Sequence, residues 1–221
     1  MPRLLFEKTG NAIWISHLDL MRVFQRAFRR GGILIRHSQG FTPRAHVSIA
    51  LPLPVGVESV CELLDFDLAE GVSIPLEEIP ARLNATLPAG LQVRTVWPDG
   101  QKLRNLTHLD AVLTLEYDQG VPAGGAAAVE SFFRETAPIQ VPKRTKSGMT
   151  ELDIQPMILD LSCRQTDTQT LELTCRVCAQ NPSLNPMLLA EALRFHCPTL
   201  APDFAKARRL EVLDPNGVPF R

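Results

Sequence analysis

The chain has 221 residues, 45% of them apolar and 21% charged, with a formal net charge of −1. That balance describes an ordinary globular protein able to bury a core without disulfides or metal, and it excludes a disordered chain. No apolar run approaches the roughly 20 residues that cross a bilayer, and the odd count of five cysteines, with no cleavable leader recognisable ahead of them, points to a soluble protein of the reducing cytoplasm.

In chain order, residues 3–8 (RLLFEK) alternate like a half-buried strand, and Gly10-Asn11 marks a turn. A helix is predicted over 16–30. Ser16 caps it, Asp19 follows three residues later as the capping-box acid, and Gly31-Gly32 ends it. A strand at 33–37, a loop at 39–43 and an apolar segment at 47–53 come next. A strand at 61–68, a helix at 76–87 and a strand at 91–97 complete a βαββαβ plan with one strand-like insertion. The polar, turn-rich PDGQKLRN at 98–105 reads as a linker. The second half repeats the plan: strand 109–117, helix 124–135, strand pieces at 139–141 and 158–164, strand 171–177, helix 186–195 and strand 208–213. The expected fold is therefore α+β, two tandem ferredoxin-like halves with antiparallel sheets, at 1–98 and 106–221.

The small net charge hides a segregation. Residues 1–46 carry eight Lys/Arg against two Asp/Glu, and residues 47–100 carry two against eight. A local basic patch attracts anions whatever the total charge, unless the acidic stretch folds back and neutralises it. On the predicted helix 16–30, a wheel of 100° per residue sets Leu20, Val23, Phe24, Ala27 and Phe28 on a core face. Arg22, Arg26, Arg29 and Arg30 fall opposite, at spacings that stack side chains in a row. A guanidinium presents a planar fork that matches phosphate oxygens, so this row, extended by Arg36 and Arg44, is a candidate nucleic-acid contact.

His17 falls on the apolar side of the first turn, half hidden and apart from the arginine row. With phosphate anchored nearby it is a candidate general base for RNA cleavage, beside the plainer reading of a structural histidine. The loop 38–44 (SQGFTPR) joins a flexible glycine to Phe41 and Arg44, a composition suited to stacking a base and holding its phosphate. In the second half, 141–149 (VPKRTKSGM) reads as an exposed basic hairpin offering Lys143, Arg144 and Lys146. Cys175 and Cys178 have redox spacing but lie inside a predicted strand, where positions i and i+3 point to opposite faces. The other cysteines lack paired short spacings, and phosphate loops are absent. Neither a metal nor a cofactor is expected.

The strings SHLDLMR (16–22), RAFRRGG (26–32), SQGFTPR (38–44) and LPLPVG (51–56) resemble the bacterial radical-SAM-linked protein family, a domain of unknown function. VPKRTKSGMTELDIQP (141–156) looks like its second characteristic block, so the resemblance covers essentially the whole chain. Members occur fused to, or encoded beside, radical SAM proteins, which implies a radical SAM partner and an RNA or translation context. The chain has no C-x3-C-x2-C triplet to hold an iron–sulfur cluster, so it would be the accessory part. The paired plan with an early histidine is also similar to CRISPR repeat-processing endoribonucleases, whose glycine-rich C-terminal loop is missing here. The readings are thus an RNA-binding accessory protein, a metal-independent endoribonuclease using His17, or a protein-interaction module that docks a radical SAM enzyme without touching RNA.

Overall fold

The computed structural model describes residues 1–135, 137–145 and 148–221, with the backbone alone at 143–145. It is a mixed α+β fold of four α-helices and mostly antiparallel strands, and it divides into two compact units, 1–105 with 220–221, and 106–219.

The first unit starts from β1 (Arg3–Lys8), whose alternation sends Leu4, Phe6 and Lys8 to one buried face. Lys8 buries its stem and donates to the Ile13 carbonyl at 3.0 Å. α1 (His17–Arg30) follows, capped by Ser16, whose hydroxyl accepts from the Asp19 amide at 3.2 Å. The helix ends where Gly32 takes a φ of +70°. The Ile33 amide bonds the Phe28 carbonyl at 2.9 Å and the Gly32 amide bonds that of Arg29 at 3.3 Å. This left-handed exit satisfies the last carbonyls and folds Ile33 onto Phe28.

Strands β2 (Val47–Ile49) and β3 (Glu58–Phe66), helix α2 (Ile79–Asn84) and strand β4 (Leu91–Trp97) complete the unit. The sheet path is β4-β1-β3 with β2 on the far side of β3, each pairing antiparallel. Helix α1 lays Leu20, Phe24, Ala27 and Phe28 on this sheet. Phe24 meets Phe6 edge-on at 4.6 Å, and Phe28 meets Phe66 at 5.1 Å. The strand anticipated at 33–37 does not form. Ile35 bridges Leu68 whereas His37 bridges Ala45, so neighbouring residues pair with different segments and no ladder develops. The helix anticipated at 76–87 is a short 3-10 turn running into α2, whose helical part ends at Asn84.

Arg3 is held inside this unit. Its guanidinium grips Asp65 with bonds of 2.6 and 2.9 Å and lies 4.9 Å over the Phe220 ring. The last two residues thereby belong to the first unit, and the Arg221 carbonyl accepts from the Gln101 amide at 2.8 Å.

The second unit comprises β5 (His108–Glu116), α3 (Gly125–Arg134), β6 (Gln140–Thr145), β7 (Gly148–Asp153), β8 (Ile158–Gln165), β9 (Thr170–Cys178), α4 (Met187–His196) and β10 (Phe204–Leu213). Its sheet path is β10-β5-β9-β8, again antiparallel, and β6 and β7 pair separately as a two-stranded sheet. If that hairpin is set aside, both units place the fourth strand beside the first, then the third, then the second. Strict alternation in β9 buries Leu171, Leu173, Cys175 and Val177. No helix among the described residues is long and apolar enough to cross a membrane.

Candidate nucleic-acid interface

Helix α1 presents three kinds of surface. Opposite the core face, Arg22, Arg26 and Arg29 stand exposed in a row, because residues three and four apart share one side of a helix. Between core and row runs a third stripe, His17, Leu18, Met21 and Gln25. This stripe faces the segment that leaves the helix, and the two enclose an open groove of about 1170 Å³. Ile33, Leu34, Ile35, His37 and Val47 contribute its far wall, and Arg44 joins its rim.

The wall is positioned by backbone bonds. The Ala69 amide donates to the Leu34 carbonyl at 2.8 Å, and the Arg36 amide to that of Asp67 at 2.9 Å. The 38–44 loop closes on itself, with the Ser38 amide bonding the Arg44 carbonyl at 2.9 Å and the Arg44 amide bonding the Ser38 hydroxyl at 3.0 Å. That closure sets Arg44 at the groove and leaves Phe41 wholly exposed at the tip, off the groove wall.

The charges differ in their engagement. Arg22 pairs with Asp19 at 2.8 Å. The Asp19 carboxyl is held below the usual carboxylate range, first by the Ser16 hydroxyl and then by Arg22. Arg30 points away and donates to the Thr86 carbonyl at 2.9 Å. Arg36 turns to the opposite side of its segment, where it meets Asp67 at 3.3 Å and His46 at 3.1 Å. Among the described residues, Arg26, Arg29 and Arg44 have no acidic partner. The acidic stretch thus neutralises Arg3 and Arg36 but leaves these three.

His17 was expected on a surface separate from the arginine row; the groove joins them. The helix wheel lacks the wall built by residues 33–47, and that wall makes one cavity of two adjacent stripes. The Nδ1 atom of His17 is buried and has no hydrogen-bond partner among the described residues. His37, which the sequence did not single out, lines the same groove. Its Nδ1 bonds the Ile35 carbonyl at 2.9 Å. A carbonyl only accepts, so Nδ1 carries a proton and Nε2 is left for another partner. Leu18 was the available signal for the groove, an apolar residue beside the arginine row that stays 69% exposed.

Lys143 and Arg144 belong to β6, outside the described side chains, and Lys146 lies outside the described residues. Cys175 is buried on one face of β9 and Cys178 sits half-buried on the other. Burial pushes the Cys175 thiol up to about 12 and the Cys163 thiol to about 11, far from a reactive thiolate. Among the described residues no group of three His, Cys, Asp or Glu is placed to hold a metal ion.

The profile of a bacterial family described as "Uncharacterized protein conserved in bacteria (DUF2344)" matches residues 2–186. The chain belongs to that family. The family's span takes in the entire groove and the strands through β9, and stops just before α4. No curated protein is significantly similar in sequence. Among solved structures, a Cbf5-Nop10-Gar1 complex is similar at 9% identity and a TM-score of 0.48, covering 96% of this chain and 48% of that one. An H/ACA RNP bound to a substrate RNA containing 2′-deoxyuridine is similar at 9% and 0.49, covering 96% and 47%. The archaeal box H/ACA sRNP Nop10-Cbf5 complex is similar at 10% and 0.47, covering 94% and 46%. The chain spans about half the length of each.

Proposed function

We propose that the protein is an RNA-binding accessory factor of the cytoplasm, working with a radical SAM partner in RNA modification or translation, with the groove of the first unit as its RNA contact. One observation carries the RNA reading: Arg22, Arg26, Arg29 and Arg44 converge on one groove, and three of them lack an acidic partner among the described residues. Like charges at neighbouring helix positions cost about 0.2–0.5 kcal/mol per pair. Phosphates offset that cost by bridging guanidiniums, each of which offers a bidentate fork. Lys143, Arg144 and Lys146 form a proposed second contact, and Arg30, Arg36 and Phe41 a proposed periphery. The shared strand order supports reading residues 1–98 and 106–221 as ferredoxin-like halves, the second with an inserted hairpin. The radical SAM partner rests on the resemblance of the 16–56 and 141–156 motifs alone.

Titrating the protein against a panel of structured and unstructured RNAs at several salt concentrations tests the RNA reading. Affinity that falls with salt, and a salt slope about 1.4 shallower in the Arg26→Glu/Arg29→Glu variant, is the expected result, since each phosphate contact to a single strand contributes about 0.7. No affinity, or affinity indifferent to both reversals, overturns it. A radical SAM protein that co-purifies without RNA would favour a docking module instead.

A second reading is favoured by His17 lining the arginine groove. In metal-independent cleavage a ribose 2′-hydroxyl attacks the adjacent phosphorus and gives its proton to His17. The bond from phosphorus to the 5′-oxygen breaks, and a second group such as His37 protonates that oxygen, leaving a 2′,3′-cyclic phosphate. Cleavage in EDTA that disappears in His17→Ala supports this reading, and cleavage that survives the substitution removes His17 from it.

A further inference from the structure

We infer that the groove takes an unpaired stretch of RNA, a few nucleotides long, and discriminates against duplex. The inference rests on the RNA reading and concerns what the groove is lined with, beyond its charge. Phosphate contact alone asks for a basic surface of any shape. Here the arginines stand around a concavity, and its lining is largely apolar, with Leu18 69% and Leu34 58% exposed and Met21 beside them. Large aliphatic side chains left in water at a ligand-sized concavity indicate a ligand with apolar faces to lay on them.

A duplex has no such faces to offer. In A-form RNA the bases are stacked and paired, so a protein meets phosphates, 2′-hydroxyls and base edges only. Binding duplex would satisfy the rim and leave Leu18 and Leu34 facing polar backbone. An unpaired base exposes both of its faces. One of them can lie on leucine, imidazole or a guanidinium plane while the flanking phosphates reach Arg26, Arg29 and Arg44. The volume, about 1170 Å³, exceeds the roughly 300–1,000 Å³ of a typical small-ligand pocket, which suits more than one nucleotide. The polar groups within the lining fit the same occupant. His37 Nε2, left free by the Nδ1 bond to Ile35, and the amide of Gln25 can read base edges.

The test measures anisotropy of the full-length protein with an unstructured 12-nucleotide RNA, the same strand annealed into a blunt duplex, and heparin as a base-free polyanion competitor. The single strand should bind at least tenfold tighter than the duplex, and heparin should compete poorly at matched charge. Leu18→Ser/Leu34→Ser should weaken single-strand binding about tenfold and leave duplex binding and the salt slope unchanged. Both positions are exposed, and a thermal melt within a few degrees of the parent shows that the variant is folded. Equal or tighter duplex binding, effective heparin competition, or an inert leucine pair would each overturn the inference while the RNA reading stands. Absence of binding to either RNA would instead remove that reading.

Discussion

The sheet of the second unit and helix α1 of the first handle their cations differently. In the second unit, Arg176 sits directly across the β5–β9 ladder from Asp110 and forks onto it at 2.7 and 2.8 Å. Arg164 faces Glu172 across β8 and β9 in the same manner, Lys206 reaches Glu116 at 2.6 Å, and Arg194 reaches Glu191 at 2.6 Å. A sheet places residues of different strands side by side, so opposite charges can be matched register by register. In the first unit, α1 stacks like charges along one row, and among the described residues Arg26, Arg29 and Arg44 meet no carboxylate. Charge resolved within the fold serves the fold. Charge left unresolved around a concavity is met by water or by a partner from outside.

Stability measurements should separate the two kinds of arginine most strongly. Arg3 is the extreme of the paired kind, its side chain only 3% exposed and fixed on Asp65. Asp65→Ala strands a buried guanidinium, and a loss of about 3–5 kcal/mol is expected in urea or thermal unfolding. Asp110→Ala, which frees a half-exposed arginine, should cost about 1 kcal/mol or less. Arg26→Ala should stay within about 0.5 kcal/mol, since it removes no contact of the fold. A large loss at Arg26 would mean that the row is structural after all.

Affinity measurements should reverse that ranking. Arg26→Glu/Arg29→Glu is expected to lower RNA affinity roughly a hundredfold, about 2.7 kcal/mol. The control reversals Arg164→Glu and Arg194→Glu, whose guanidiniums are already engaged by Glu172 and Glu191, should each leave affinity within about twofold. Equal losses in both units would reduce the groove to a general electrostatic effect.

Much of this frame was legible in the residues. The Ser16 cap, the Gly31-Gly32 stop and the alternation at 3–8 are local signals, and α1 and β1 lie where those signals put them, as β4 lies on the strand predicted at 91–97. The groove was not legible, because its far wall comes from residues 33–47, a segment held by isolated bridges and by bonds to residues past β3. The run ILIRH at 33–37 reads as a strand until one knows that its neighbours pair to different partners. The same blindness hid the Arg3–Asp65 pair, whose members are 62 positions apart. It also separated His17 from the arginines, since a wheel describes one helix and a groove needs a second wall.

The smallest expected effect sharpens the comparison at a single residue, Arg22, a groove arginine that the fold partly satisfies. Asp19 holds it at 2.8 Å with both side chains more than half exposed. Asp19→Asn removes the charge of the partner while keeping a side chain that can still bond the Ser16 hydroxyl, so the helix start should survive. If unresolved charge is what draws RNA, releasing Arg22 should tighten binding about two- to fivefold and steepen the salt slope by up to about 0.7. Because its carboxyl is held below the ordinary range by Ser16 and Arg22, Asp19 is fully ionised from pH 5 to 8. The gain should therefore be constant across that window. Unchanged or weaker binding in Asp19→Asn would show that the carboxylate positions Arg22 for its phosphate and does not compete for it.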